Sequence, residues 1–107
     1  KTFDFALSII KFYMECKSQN EYILSKQILR SGTSIGANVE EGIAAQSKKD
    51  FISKLSIANK EARETKYWLR LYHSSNLVQI DVEPYLKEIE SIINILTKII
   101  KTSSQNL

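Results

Sequence analysis

Few side chains in this sequence can do covalent or metal chemistry. There is one histidine, His73, and one cysteine, Cys16. A Cys/His zinc site draws on several such ligands, so one chain cannot build it. A di-iron helical bundle needs Glu-x-x-His pairs on facing helices, and Arg70 stands where that Glu would be. A His-Glu-x-x-His metalloprotease helix fails for the same reason. A serine or cysteine nucleophile would have to take His73 as its base. By helical projection His73 lies near Leu69 and Ala62, a half-buried bundle position, and Cys16 reads as a small core residue. Arg70 and His73 stand closer together than the Arg and His of the helical ribonucleases that use such a pair. The stretch from Gly32 to Gly42 lacks the Gly-x-x-x-x-Gly-Lys-Ser/Thr spacing and follows no strand, so tight helix packing explains it better than a phosphate cradle. No catalytic residue, metal or cofactor is expected.

What remains is charge. Projected at about 100° per residue, one arc of roughly 120° on the segment from Ser47 to His73 collects Lys48, Lys49, Ile52, Ser56, Asn59, Lys60, Arg63, Lys66, Tyr67 and Arg70. Six of these ten are basic and none is acidic. Asp50, Glu61 and Glu64 fall on another sector, near Ile57 and Trp68. A merely solvated face usually mixes both signs. A basic stripe roughly 30 Å long, at 1.5 Å per residue, suits the backbone of RNA or DNA, with Lys48, Lys49, Lys60, Arg63, Lys66 and Arg70 on phosphates. Two other readings stay open: the cations only solubilise the surface, or they pair with acids of a neighbouring helix or subunit. Glu61 and Glu64, close to apolar neighbours, need a partner if partly buried. Arg30, or the Ser31 and Asn38 side chains, are placed to supply it.

The elements that must position this stripe follow from apolar spacing. Phe5, Ile9, Phe12 and Cys16 recur every three or four residues, with Ala6, Ile10 and Tyr13 beside them, predicting a helix from about Thr2 to Lys17. A second helix starts near Glu21 with Asn20 as N-cap, carries Tyr22, Leu24, Ile28, Ile35 and Val39, and stops at Gly42. Its Ser31–Ala37 stretch is weak helix by propensity, but small residues four apart let another backbone come close. Ser47 with Asp50 three residues on resembles a capping box, opening a third helix through Phe51, Leu55, Ala58, Ala62 and Leu69 to about Ser74. A fourth opens at Asp81, tolerates Pro84 in its first turn, and carries Leu86, Ile89, Ile92, Ile93, Leu96, Ile99 and Ile100. The tail from Thr102 to Leu107 is expected to fray.

Four amphipathic helices with short connections imply an all-α fold: one antiparallel up-down-up-down four-helix bundle over residues 1–107. The wide apolar circumference of the fourth helix points to self-association. Size fits one domain: 107 residues, 43% apolar and 25% charged, net charge +3. Three glycines and one proline are too few for an all-β fold with a turn every 8–12 residues or so. A lone cysteine excludes an internal disulfide and fits a reducing cytoplasm. No apolar run reaches the roughly 18 residues of a membrane span. No signal peptide is visible, although opening at Lys1 rather than Met leaves room for an N-terminal piece ahead of it.

The residues also carry a resemblance. Ser25-Lys26-Gln27-Ile28-Leu29-Arg30-Ser31-Gly32-Thr33-Ser34-Ile35-Gly36-Ala37-Asn38-Val39-Glu40-Glu41, then Ser47-Lys48-Lys49-Asp50-Phe51, then Lys60-Glu61-Ala62-Arg63-Glu64-Thr65 resembles the bacterial four-helix-bundle family of proteins encoded in intervening sequences of 23S ribosomal RNA genes. Ser-Ile-x-Ala-Asn-x-x-Glu with a downstream Ser-Lys-Lys-x-Phe is its most specific part. The positions of Ser31, Ser34, Asn38, Glu41, Ser47, Lys48 and Phe51 match, and many relatives have Pro at the position of Gly36. The resemblance implies a left-handed bundle assembled into a ring, typically a homopentamer. It is also similar to the accessory proteins of diversity-generating retroelements, which are basic pentamers that bind nucleic acid and a reverse transcriptase. The resemblance brings no catalytic residues.

Together these readings predict a non-enzymatic, cytoplasmic homo-oligomer that binds nucleic acid, RNA above all, through the basic stripe. The alternative is a protein-interaction scaffold that recruits a partner protein and touches no nucleic acid. A nuclease working through His73 is the third.

Overall fold

The computed structural model describes residues 1–105 and contains four helices: α1 Thr2–Ser18, α2 Leu24–Ile43, α3 Lys48–Ser75 and α4 Glu83–Gln105. Specific cross-helix pairs fix their directions. Ile9 meets Gly32 and Thr2 meets Gly36 across α1 and α2. Ser31 meets Thr65, and Gly42 meets Leu55, across α2 and α3. Lys66 meets Glu90, and Asn59 meets Thr97, across α3 and α4. In each pair one number rises as the other falls, so successive helices run antiparallel. The result is an up-down-up-down bundle of 47 × 20 × 19 Å. Each helix packs broadly on the next, whereas α1 and α4 touch only sparsely.

The predicted α1 seam of Phe5, Ile9, Phe12 and Cys16 is buried. It packs with Ile28 and Ile35, with Leu55, Ala58, Ala62, Leu69 and Tyr72, and with Ile89, Ile92, Ile93 and Leu96. Phe12 sits edge-on between Tyr72 and Tyr85, each ring centroid 5.0 Å away. Such arrangements place ring edges against ring faces and add to the burial energy.

The weak-propensity stretch of α2 stays helical. Ser25, Ser31, Gly32 and Gly36 form its buried, narrow face. A Cβ on Gly32 would lie 2.9 Å from Ile9 Cγ2. Gly42 is not the stop: α2 continues to Ile43, and no glycine has positive φ. Its missing side chain makes room for Leu55, whose Cδ1 would lie 2.8 Å from a Cβ there.

Helix starts differ from expectation in an informative way. Asn20 does not cap α2; it takes a left-handed conformation (φ 63°) that turns the chain. The capping oxygens come from Glu21, which accepts from the backbone N–H groups of Ile23 (2.8 Å), Leu24 (2.8 Å) and Ser25 (3.0 Å). The longer side chain reaches three orphan donors, whereas Asn20 Oδ1 accepts from the Tyr22 hydroxyl at 3.1 Å. Tyr22, predicted apolar-facing, is exposed for the same reason. Ser47 caps α3 as predicted, accepting from Asp50 N at 3.0 Å. Asp81 accepts from Glu83 N at 3.2 Å, just ahead of α4. Thr102–Gln105, expected to fray, are helical; the rest of the predicted tail lies outside the described residues.

Two substitutions separate steric room from helix propensity. Gly32→Ala pushes against the branched Cβ end of Ile9 and should lower stability by about 1–2 kcal/mol, despite a propensity gain near 1 kcal/mol. Gly36→Ala, whose Cβ would meet Thr2 at an ordinary 3.5 Å, should be neutral or stabilising by up to about 1 kcal/mol. Chemical denaturation of both variants measures the difference.

Candidate nucleic-acid interface

Packed by its apolar face, α3 carries ion pairs to both neighbouring helices. On one flank, Arg30 of α2 reaches Glu61 Oε2 at 3.2 Å and also pairs with Glu64. Glu64 Oε2 accepts from Trp68 Nε1 at 2.9 Å. Below this cluster Thr65 donates to Ser31 Oγ at 2.9 Å in the buried interface. Arg30 is therefore the partner of the two acids. Ser31 serves Thr65 instead, and Asn38 donates to Ser34 O at 2.9 Å. On the other flank Lys66 pairs with Glu90 of α4.

Between these flanks lie the predicted contact residues. Lys48, Lys49, Lys60, Arg63 and Arg70 are exposed. Among the described residues Lys49, Lys60, Arg63 and Arg70 make no ion pair. Lys66 stands apart, because a carboxylate already faces its ammonium. A half-exposed pair of this kind is worth about 0–1 kcal/mol, so a phosphate competes with Glu90 rather than being excluded by it. Asn59, on the same arc, turns its amide toward α4 and donates to Thr97 Oγ1 at 3.3 Å. Tyr67 is 52% exposed and its ring stands 5.4 Å from that of Trp68. Arg63, Lys66, Tyr67 and Arg70 form one wall of a groove of about 450 Å³, and Ile93 and Asn94 of α4 form the other.

The groups considered for catalysis are elsewhere and are not assembled. His73 is exposed, not half-buried: the last turns of α3 leave it 3.6 Å from Glu83 across the α3–α4 turn. Cys16 is buried, and burial pushes its thiol up to about 11, with the nearby Glu21 adding to the rise against the Tyr72 hydrogen bond. It is a protonated thiol at neutral pH, without nucleophilic character. Beside it the Tyr72 hydroxyl donates to Glu21. Burial, followed by that hydrogen bond, raises Tyr72 far above its ordinary value. For Glu21 burial acts upward, but Tyr72 and the three backbone N–H groups outweigh it and hold the carboxyl below its usual range. Among the described residues no three His, Cys, Asp or Glu side chains gather as metal ligands.

Two features escaped sequence reasoning. Phe3, Leu7, Ile10 and Met14 run along the outer face of α1 at 67%, 46%, 43% and 57% exposure. Their 4-3-4 spacing was a readable signal, masked by the parallel seam of Phe5, Ile9 and Phe12. In addition, Asp4, Glu15, Asp81 and Glu88 line a groove of about 650 Å³ at the α1–α4 seam. These acids come from separate elements, and only the fold brings them together.

The signature of the 23S rRNA-intervening sequence protein family matches residues 1–98. The chain belongs to this family. A crystal structure from Bacteroides thetaiotaomicron, described as a protein with unknown function from the S23 ribosomal protein family, is 45% identical. The likeness covers 94% of each chain with a TM-score of 0.86. No curated protein matches the chain. The four-helix bundle is thus the architecture of a 23S rRNA-intervening sequence protein, and the resemblance in Ser25–Thr65 is confirmed as membership. Among the described residues no helix is long and apolar enough to cross a membrane.

The Glu21 cluster makes a pH prediction. A depressed carboxyl stabilises the fold above its unfolded value of about 4.3, and that stability disappears as pH falls through the lower folded value. Glu21→Gln should cost about 1–3 kcal/mol at pH 7. The gap between variant and wild type should close as the pH drops below 4 or so. Urea titrations at several pH values test it; a gap that persists at acid pH contradicts the assignment.

Proposed function

We propose that this 23S rRNA-intervening sequence protein is a non-enzymatic, cytoplasmic, homo-oligomeric module that binds nucleic acid, RNA in the first place, through the basic face of α3. The observation that carries the reading is that Lys49, Lys60, Arg63 and Arg70 are exposed on one face and make no ion pair among the described residues, while both central acids of the helix are held by Arg30. Unpaired cations along one helix are what a phosphate backbone neutralises, and such contacts position without specifying sequence. The exposed apolar row on α1 supports self-association, because a row of this kind on a soluble protein marks a surface that another protein covers. The family resemblance implies five copies in a ring. A ring presents one basic face per copy, and weak contacts then reinforce one another through effective concentration.

Fluorescence anisotropy with an RNA hairpin and a matched DNA duplex, at about 50 and 200 mM salt, tests the binding. If four phosphates are neutralised, the logarithm of affinity should fall with the logarithm of salt at a slope between about −3 and −4. Lys60→Glu with Arg63→Glu should weaken binding at least about tenfold. Both side chains are exposed, so thermal stability should be unchanged. Unchanged affinity in the double variant sinks the reading. Absence of binding at low salt favours instead a scaffold that recruits a partner protein.

Self-association has its own test. The wild-type chain should sediment as an oligomer, and Leu7→Glu with Ile10→Glu should sediment as a folded monomer. A wild-type chain that is monomeric at tens of micromolar removes the oligomer from the proposal.

A further inference from the structure

The α3–α4 groove has a feature that phosphate binding does not need. Tyr67 lies between Arg63 and Arg70 on the same face, about 6 Å along the axis from one and 4.5 Å from the other at 1.5 Å per residue. The Tyr67 ring is half exposed, and among the described residues its ring contact is with Trp68, 66° away from parallel. The opposite wall holds the apolar side chain of Ile93, nearly buried, and the exposed amide of Asn94. Glu90, the acid of the groove, already has Lys66 as its counterion. The groove therefore combines a half-exposed aromatic ring, the buried apolar side chain of Ile93, an amide with both donor and acceptor, and two guanidinium groups that make no ion pair among the described residues.

From this juxtaposition we infer that the groove seats an unpaired nucleobase stacked on Tyr67, with the flanking phosphates on Arg63 and Arg70, so that the ligand is single-stranded or looped rather than fully duplex. In a duplex each base is already stacked between its neighbours and offers no free face to a side chain on a helix surface. A splayed-out base offers its whole face, and aromatic stacking of this kind is tolerant of sequence because every base has a π-face. Asn94 is placed to meet the base edge. The inference rests on the nucleic-acid reading of α3 and adds the strand state of the ligand to it.

The experiment compares three fluorescent probes of equal length on the intact protein: a single-stranded RNA, its duplex, and a strand of the same charge in which the central nucleotides are abasic. Wild-type protein should bind the single strand more tightly than either of the others. Tyr67→Ala should weaken single-strand binding by roughly 5- to 100-fold, the range for loss of one stacked base. It should leave duplex and abasic binding within about twofold, and Tyr67→Phe should restore the single-strand affinity. Tyr67 is exposed, so the thermal transition of Tyr67→Ala should match wild type. If Tyr67→Ala binds the single strand as wild type does, while Lys60→Glu with Arg63→Glu does not, base stacking is overturned and phosphate binding stands. If the duplex binds as tightly as the single strand, the inference also fails. If wild type binds none of the probes, the inference falls together with the reading it rests on.

Discussion

The buried stripe of Leu55, Ala58, Ala62, Thr65, Leu69 and Tyr72 sets which way α3 faces, and the guanidinium of Arg30 ties the flank of that face to α2. The two ends of that guanidinium meet Glu61 and Glu64, one turn apart on α3. Both carboxylates are thereby committed to the α2 side. Rotating α3 by even a third of a turn would bring Leu55, Ala58, Ala62 and Leu69 to the surface and take both acids away from Arg30. The buried Thr65–Ser31 hydrogen bond beneath the cluster sets the same rotation by a second, independent contact. With that angle fixed, Ala58, Ala62 and Leu69 point into the core and the unpaired cations point out. The charge sorting on α3 is thus a consequence of packing as much as a preparation for a ligand. The two roles are compatible, because the acids that stabilise the bundle are the ones that would otherwise repel a phosphate.

Much of this arrangement was legible beforehand. Apolar spacing located four helices, and small residues on α2 announced a close neighbour, realised as the Gly32–Ile9 contact. Of the partners expected for Glu61 and Glu64, namely Arg30 or the Ser31 and Asn38 side chains, Arg30 takes both acids. The failures share one cause, which is that projection along one helix cannot say what the next helix offers. Lys66 and Asn59 lie on the predicted arc, yet both face α4, where Glu90 and Thr97 await them. His73 projects beside Leu69, but in the last turn of α3 the core is filled by Tyr72, and His73 is left exposed beside Glu83. Glu21 was read as the start of a helix, and its role depends on Tyr72, which lies 51 residues further along the chain.

Two surfaces of opposite character flank α4. Its α3 side borders the basic groove, and its α1 side borders the groove lined by Asp4, Glu15, Asp81 and Glu88. A net charge of only +3 conceals this separation. Charges around α4 are thus sorted onto two sides, with Lys1 paired to Glu88 on one and Lys66 to Glu90 on the other, and a charged partner responds to the local field rather than to the total charge.

The sparse contact between α1 and α4 also bears on how the chain acquires its shape. Nearly all of the packing joins helices that are neighbours in sequence, and only the seam between first and last requires the two ends to meet. Closing short segments costs little entropy, and topologies built from local contacts form quickly. The bundle can therefore assemble in the order in which it is translated: α1 folds back on α2, α3 adds to that pair through Arg30 and Ser31, and α4 docks on a surface already complete.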